Sequence, residues 1–415
     1  MSIQLCLFDL DNTLLRTSDL EGFRGRENVN NTSREYTRGL LREYNRRDDR
    51  LLYTPEQLAD LQAEFPDMRW GVFTRAPRHY AATLLEEAYP DVEWDIVVAY
   101  EDVRNTKPHP DGIYLAAKKF GIKTGDQIVL VGDEKSDVVC AYRAGCWVFV
   151  DRTSWQPMEK EHWRALERVP DALFEGADEL GPLLASPYLG APELEYLIAG
   201  ERLEGRKRRI DKINHFWPWS ISRDHVSIHV LGRLFSDYED IRYRRGWHAL
   251  TGQIIDHKDA KTFPDEWIKA IQKFVHVDTI GKPDTLVTVV PYKPGRTPRL
   301  ERLLDQFGKA YEPPRVSFVR NPVVSFRSDV LAFRSGAVSS HGNHLDKDQR
   351  FANVGENLHV ARPQDVQGKH VIVIDDVVTT GATLLWSHRY LREAEPPRVP
   401  RRLFGLSHAG MADSR

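Results

Sequence analysis

"LCLFDLDNTLL", residues 5–15, opens with four apolar residues and runs into Asp9 and Asp11, with Thr13 just beyond. A short apolar run bounded by turn residues reads as a buried strand. In an open parallel sheet, ligands bind beyond the carboxyl ends of the strands, so Asp9 stands where a site forms. If the chain leaves the strand in a tight turn, Asp11 points into the same crevice. Two neighbouring carboxylates repel unless a cation lies between them or one holds a proton. Magnesium, which takes oxygen ligands, resolves that conflict. One carboxylate can then attack phosphorus, while the other protonates the leaving oxygen and later activates water.

Working outward, "WGVFTR" (70–75), "WDIVVAY" (94–100), "QIVLVGD" (127–133) and "CWVFVD" (146–151) also read as short buried strands. Amphipathic stretches such as "RHYAATLLEEAY" (78–89) and "GIYLAAKKFGI" (112–122) lie between them. This alternation implies an α/β fold, a parallel sheet covered on both faces. The later segments supply further chemistry. Thr74 offers a hydroxyl to a phosphoryl oxygen, and Lys107, in "NTKPHP", a point charge. Asp133 and Asp137, in "VGDEKSD", add acids for a metal and its waters.

"DLDNT", a threonine after a second strand, "KP" and "GDxxxD", in that order, resemble the four motifs of the haloacid-dehalogenase (HAD) superfamily. The likeness covers residues 1–185. It implies a Rossmann-like domain in which Asp9 is the nucleophile and Asp11 the acid/base, the phosphatase version of the motif. Thr74 and Lys107 would bind the phosphoryl group. Asp9, Asp133 and the Asp11 carbonyl would hold magnesium, with Asp137 in support. The insert 14–68 resembles a small helical cap that chooses the substrate. Within it, Arg34, Arg38, Arg42, Arg46 and Arg50 recur every four residues. They read either as a basic lid over a multiply anionic substrate or as a solvated face supported by Glu35, Glu43, Asp48 and Asp49.

The second half restarts the pattern with "TLVTVVPY" (285–292), "KHVIVIDDV" (369–377) and "RRLFGLSHA" (401–409) as strands, and "RLERLLDQFGKAY" (299–311) and "GATLLWSHRYLREAE" (381–395) as helices. In "VIVIDDVVTTGAT" (371–383) a strand–turn–helix exposes backbone N–H groups to an anion. Thr379, Thr380 and Thr383 add hydroxyls, and Gly381 permits close approach. Asp375 and Asp376 suit the vicinal hydroxyls of a ribose 5-phosphate. This run resembles the phosphoribosyl-pyrophosphate (PRPP) motif of type I phosphoribosyltransferases. Lys293 and Arg296 then read as pyrophosphate contacts. The order of "LDKDQRFANVGENLHV" (345–360) before the motif resembles the ComF-like branch, with Gln349, Arg350 and Asn353 as candidates for a closing loop. That branch often begins with a four-cysteine zinc module, absent here, so its DNA-uptake role does not carry over.

The 415 residues allow two or three domains at roughly 100–200 residues each. The expected layout is two Rossmann-like parallel-sheet domains: a HAD-like domain over 1–185, a linker over 186–220, a phosphoribosyltransferase-like domain over 221–410 and a tail over 411–415. With 29% charged residues and no apolar run of about 18, no membrane partner is expected. No signal peptide is read at the N-terminus. A net charge of −3 gives no global pull toward nucleic acid. "EGRKRR" (204–209) reads as solvated linker and "HFWPWS" (215–220) as a packing plug. Cys6, Cys140 and Cys146 form no paired motif, which suits a reducing cytoplasm. None of the histidines is assigned to a metal. Oligomeric state is not legible, a homodimer being the commonest assembly.

The expected function is a bifunctional, magnesium-dependent enzyme of nucleotide or nucleoside metabolism. It combines an aspartyl-phosphate phosphomonoesterase with a PRPP-dependent phosphoribosyltransferase. Its partners are small phosphate esters and PRPP or a nucleotide. The alternative is a phosphatase regulated by a non-catalytic PRPP- or nucleotide-binding domain.

Overall fold

Strand β1 (Leu5–Phe8) is buried along its whole length. Side chains alternate across a strand, so Cys6 and Phe8 enter one hydrophobic cluster, while Leu5 and Leu7 enter another. A core on each face is what a doubly covered parallel sheet requires. β1 lies between β2 (Arg69–Phe73) and β4 (Ile128–Gly132), parallel to both. With β3 (Ile96–Val98), β5 (Trp147–Asp151) and β6 (Ala172–Phe174), the sheet has the order β3-β2-β1-β4-β5-β6, parallel throughout. This computed structural model describes residues 2–156, 165–201, 206–218, 221–222, 224–236, 242–314, 322–335, 346–394 and 402–409. The tail expected over 411–415 lies outside them. Among the described residues no helix is long and apolar enough to cross a membrane.

The insert contains two helices, α1 (Arg34–Tyr44) and α2 (Pro55–Glu64). Ser33 caps α1 by accepting from the Tyr36 N–H, and Thr54 and Gln57 form a reciprocal capping box on α2 with proline at its first position. The arginine stripe stops where α1 stops, at Tyr44. Arg46 pairs with Glu43 at 2.7 Å. Arg50 is buried and donates to the carbonyls of Tyr44 and Arg16 and to Asp19. A lid of five arginines is therefore not what the insert presents.

The chain forms two compact units, one of Met1–Ala191 with Phe235–His248, the other of Pro192–Leu234 with Ala249–Arg415. The expected boundary near 185 thus misses a return segment. Its short helix, Arg242–Arg245, packs in the first unit on α5 (Lys135–Ala144). Gly145, at φ +78°, ends α5 in the left-handed conformation. A Cβ there would lie 2.6 Å from that of Tyr243. Arg244 is fully buried, ion-paired with Asp171, and its guanidinium lies 4.2 Å from the Trp247 ring centre and 5.0 Å from that of Trp147.

The second unit is built on a second sheet, ordered β11-β10-β14-β15-β8-β7, with β9 against β15. These strands are β7 (Asp211–Phe216), β8 (His225–Val230), β9 (Arg233–Leu234), β10 (Thr285–Val289), β11 (Val324–Phe326), β14 (His370–Val378) and β15 (Arg402–Ala409). All pairs are parallel except β7–β8. β12 (Leu331–Phe333) and β13 (Leu358–Val360) form a separate antiparallel pair. The stretch 186–220, read as linker, holds the helix Glu193–Ala199 and strand β7, because Glu193 and Glu195 are buried against Arg206, Lys273 and Arg233. Trp217 packs edge-on against Phe351 and Trp386, the plug expected of its cluster.

Removing one partner of a buried ion pair leaves a charge without compensation. Arg244→Met should therefore destabilise the first unit by about 3 to 5 kcal/mol. Chemical denaturation followed by tryptophan fluorescence measures the loss.

Candidate active site

Asp9 follows β1 directly, and its N–H donates to the Val131 carbonyl of β4 at 2.8 Å. Asn12 then turns the chain at φ +59°, a left-handed conformation that asparagine tolerates. Its side-chain oxygen accepts from the Thr17 N–H at 3.2 Å and the Ser18 hydroxyl at 3.0 Å, which fixes the turn. Asp9 and Asp11 both face a cavity of about 450 Å³ that Thr74, Lys107 and Asp133 also line.

Lys107 is buried, and its ammonium donates to Asp9 Oδ1 at 2.7 Å and to Asp137 Oδ1 at 2.8 Å. Burial opposes its charge, but Asp137 and Asp9 outweigh burial and hold its pKa above the ordinary value. Asp9 is pushed up to about 7, by burial first and by Asp137 and Asp11, with Lys107 pulling the other way. Burial, with Asp137 and Asp9, also raises Asp133. Thr13 donates to Asp133 at 3.3 Å.

One carboxylate oxygen from each of Asp9, Asp133 and Asp137 lies within 4.8 Å of the others. Three carboxylates against one ammonium leave an excess of negative charge, and an all-oxygen donor set of this kind fits a divalent cation such as magnesium. Asp137 has both oxygens engaged, one by Lys107 and one by the Glu134 N–H at 3.2 Å. Asp9 and Asp133 are thus better placed to hold the metal, and Asp137 holds the lysine.

The carboxylate of Asp11 lies outside that cluster. Its Oδ1 accepts from the Thr17 hydroxyl at 2.7 Å and the Tyr80 hydroxyl at 2.9 Å, and Arg24 stands 3.4 Å away. Thr74 donates to its Oδ2 at 3.4 Å. Burial, and then Asp11, raises the Tyr80 pKa, so the phenol stays a donor. Thr17, Arg24 and Tyr80 were missed by sequence reasoning. The first two lie in the insert and Tyr80 in α3 (Arg78–Ala88), with no spacing that ties them to Asp11. The arginines lining the cavity are Arg24, Arg26 and Arg75, none from the period-four stripe.

In the second unit Asp375 and Asp376 lie inside β14 rather than beyond it, and Asp376 pairs with Arg299. Burial pushes Asp375 up to about 7, against the pull of Arg299 and Lys293. Gly381, at φ +70°, opens the helix Ala382–Glu393. Thr379 is exposed, and Thr380 accepts from the Ala382 N–H at 3.4 Å. Thr383 sits in the first turn of the helix. Lys293 is lowered by burial first and then by the charges of Arg296 and Arg350, with Asp375 pulling the other way. Gln349, Arg350 and Asn353 lie on the helix Lys347–Asn357 rather than in a loop. Gln349 caps that helix with Asp346, which gives it a structural task.

With this geometry in hand, the chain can be set beside known proteins. Residues 29–150 match the haloacid dehalogenase-like hydrolase family. The phosphoglycolate phosphatase of Escherichia coli K12 is 29% identical over 137 residues, 33% of this chain and 51% of that protein. The phosphoglycolate phosphatase of Salmonella paratyphi A is 30% identical over 125 residues, 30% of this chain and 48% of that protein. The chain spans about half the length of the curated relatives it matches. A crystal structure of a predicted phosphoglycolate phosphatase from Haemophilus somnus aligns over 44% of this chain and 98% of its own, at 20% identity and a TM-score of 0.34.

A ligand that binds only the folded state stabilises it by mass action, about 2.7 kcal/mol at a hundredfold excess over its Kd. Magnesium should raise the thermal midpoint of the wild-type chain, and Asp133→Asn should reduce that rise. Differential scanning calorimetry with and without the ion gives the comparison.

Proposed function

We propose that the first unit is a magnesium-dependent phosphatase acting on small phosphate monoesters through an aspartyl-phosphate. The observation that carries this reading is the pair of unlike aspartates, Asp9 on Lys107 and Asp11 on Thr17 and Tyr80. An Asp9 oxygen attacks phosphorus, the bond to the ester oxygen breaks, and Asp11 gives that oxygen its proton. Asp11 then takes a proton from water as the water attacks the phosphoryl group, which releases phosphate and restores Asp9. Lys107, fixed by Asp137, places positive charge beside the nucleophile, and Thr74 offers its hydroxyl to the transferring group. Asp9 and Asp133 would hold magnesium, which would supply positive charge to the transferring group. The match of residues 29–150 to the haloacid dehalogenase-like hydrolase family, and the similarity to a phosphoglycolate phosphatase over 137 residues, support the reaction class.

The second unit, in our reading, binds PRPP or a nucleotide phosphate. Lys293, Arg296 and Arg350 would give a diphosphate its countercharge, with Asp375 as the opposing charge. The threonine-rich turn before the helix Ala382–Glu393 offers N–H and hydroxyl donors. Transfer of the phosphoribosyl group of PRPP to a base, with release of pyrophosphate, would make the chain bifunctional in cytoplasmic nucleotide metabolism. Binding without turnover would make this unit a regulator of the phosphatase.

Asp9→Asn should abolish hydrolysis of p-nitrophenyl phosphate, and Asp11→Asn should lower kcat by about 10² to 10⁴. Incubating wild type and Asp9→Asn with magnesium, PRPP and a cytosolic small-molecule extract, followed by mass spectrometry, examines both units. A phosphoribosylated product that accumulates only in the variant joins them in one sequence. PRPP left unconsumed by both proteins removes the transferase.

A further inference from the structure

The two oxygens of Asp11 are held very differently. Oδ1 meets the Thr17 hydroxyl at 2.7 Å, the Tyr80 hydroxyl at 2.9 Å and the Arg24 guanidinium at 3.4 Å. Among the described residues Oδ2 has one donor, the Thr74 hydroxyl, at 3.4 Å. The backbone beneath is tied down, since the Asn12 N–H donates to the Leu15 carbonyl, and those of Leu14 and Leu15 donate to the Leu10 carbonyl. What remains free is the rotation of the carboxylate itself. Tyr80 reaches it from α3, outside the insert. The Tyr80 side chain is fully buried and belongs to the hydrophobic cluster that holds Leu14, Leu20 and Leu84. Phenylalanine would meet that packing equally well. The hydroxyl adds nothing to the packing, and it points at Asp11.

We propose that Tyr80 is a positioning residue for the acid: with Thr17 it pins Oδ1, and so presents Oδ2 to the leaving group of the ester. This deepens the phosphatase reading and rests on it. A carboxylate has about four lone-pair sites, two on each oxygen. Three donors crowd those of Oδ1, whereas Oδ2 keeps a site for a transferable proton. Thr74 is also the residue that offers its hydroxyl to the transferring phosphoryl group, so Oδ2 faces the reacting side. The proton passes from Oδ2 to the ester oxygen as the bond from that oxygen to phosphorus breaks, while Oδ1 keeps its donors. A catalytic group displaced by about 1 Å can lose about 10² in rate. That loss falls on esters whose leaving group needs the proton. An alkoxide needs it, and p-nitrophenolate, a far weaker base, departs without it.

The test uses the 415-residue chain with magnesium and a pair of esters, glycerol 2-phosphate and p-nitrophenyl phosphate. The quantity read is kcat/KM, which covers the steps up to departure of the alcohol and leaves out the later hydrolysis of the aspartyl-phosphate. Tyr80→Phe keeps the ring and removes the hydroxyl. It should lower kcat/KM for glycerol 2-phosphate about tenfold more than for p-nitrophenyl phosphate, the size of one hydrogen bond to a charged group. Thr17→Val removes the other hydroxyl from the same oxygen without touching α3, and it should show the same selective loss. Asp11→Asn should show that selectivity with a larger loss. Equal losses on both esters in Tyr80→Phe would mark a packing role, and no loss on either would mark an idle hydroxyl. Each of these overturns the inference and leaves the phosphatase standing. An Asp11→Asn variant indifferent to the leaving group removes Asp11 as the acid, and the inference falls with it. A chain that hydrolyses neither ester overturns the phosphatase reading as well.

Discussion

The first unit depends on one buried ammonium. Parallel strands bring their carboxyl ends to one edge, and here those ends deliver Asp9, Asp133 and Asp137 into a space with little water. Carboxylates buried together are costly in charge and in mutual repulsion. Lys107 offsets part of that cost by contacting two of them at once. It also fixes where they point, since Asp9 cannot turn away without giving up its cation. One lysine does not balance three acids. The remaining negative charge is the physical basis for assigning a divalent cation to Asp9 and Asp133.

Asp11 shows how two similar residues, two positions apart, acquire different tasks from their surroundings. Asp9 meets a cation that favours its ionised form. Asp11 meets two hydroxyl donors on a single oxygen, and an arginine beside it. Thr17 and Arg24 belong to the insert rather than to the sheet. The orientation of Asp11 is therefore set in part by the segment that lines the cavity, together with Tyr80 and Thr74, whereas Asp9 is set by the sheet.

What was legible in the sequence was local. The alternation of Leu5, Cys6, Leu7 and Phe8 reveals a strand buried on both faces, and the acids that follow mark its functional end. The cap contacts were not legible, because Thr17 and Tyr80 meet only through the turn at Asn12 and the placement of α3. The arginine stripe was legible only in part: Arg34, Arg38, Arg42 and Arg46 are exposed, as the solvated-face reading has them, and Arg50 is not. A period of four implies a helical face only while the helix lasts, and α1 ends at Tyr44. Arg50 then turns inward to carbonyls that no spacing rule anticipates. The return of Arg242–Arg245 was hidden more deeply. No motif marks "YRRGWH" (243–248), and the rings around Arg244 include Tyr142 and Trp147, about a hundred positions earlier in the chain.

The two acid pairs look alike in sequence, yet they differ in what faces them. Asp9 lies just beyond its strand, against a fully enclosed lysine. Asp375 and Asp376 lie within β14, half-buried, and the cation that meets Asp376 is the partly exposed Arg299. An arginine at a half-open site can be exchanged for ligand hydroxyls at modest cost, whereas a lysine sealed between two aspartates cannot. Burial pushes both Asp9 and Asp375 up to about 7, so the pKa does not separate the two acids. In the proposed reading, acids followed by threonine thus mark an attacking group in one unit and a hydroxyl-binding edge in the other. The location of the nearest cation, enclosed or exposed, is what separates them.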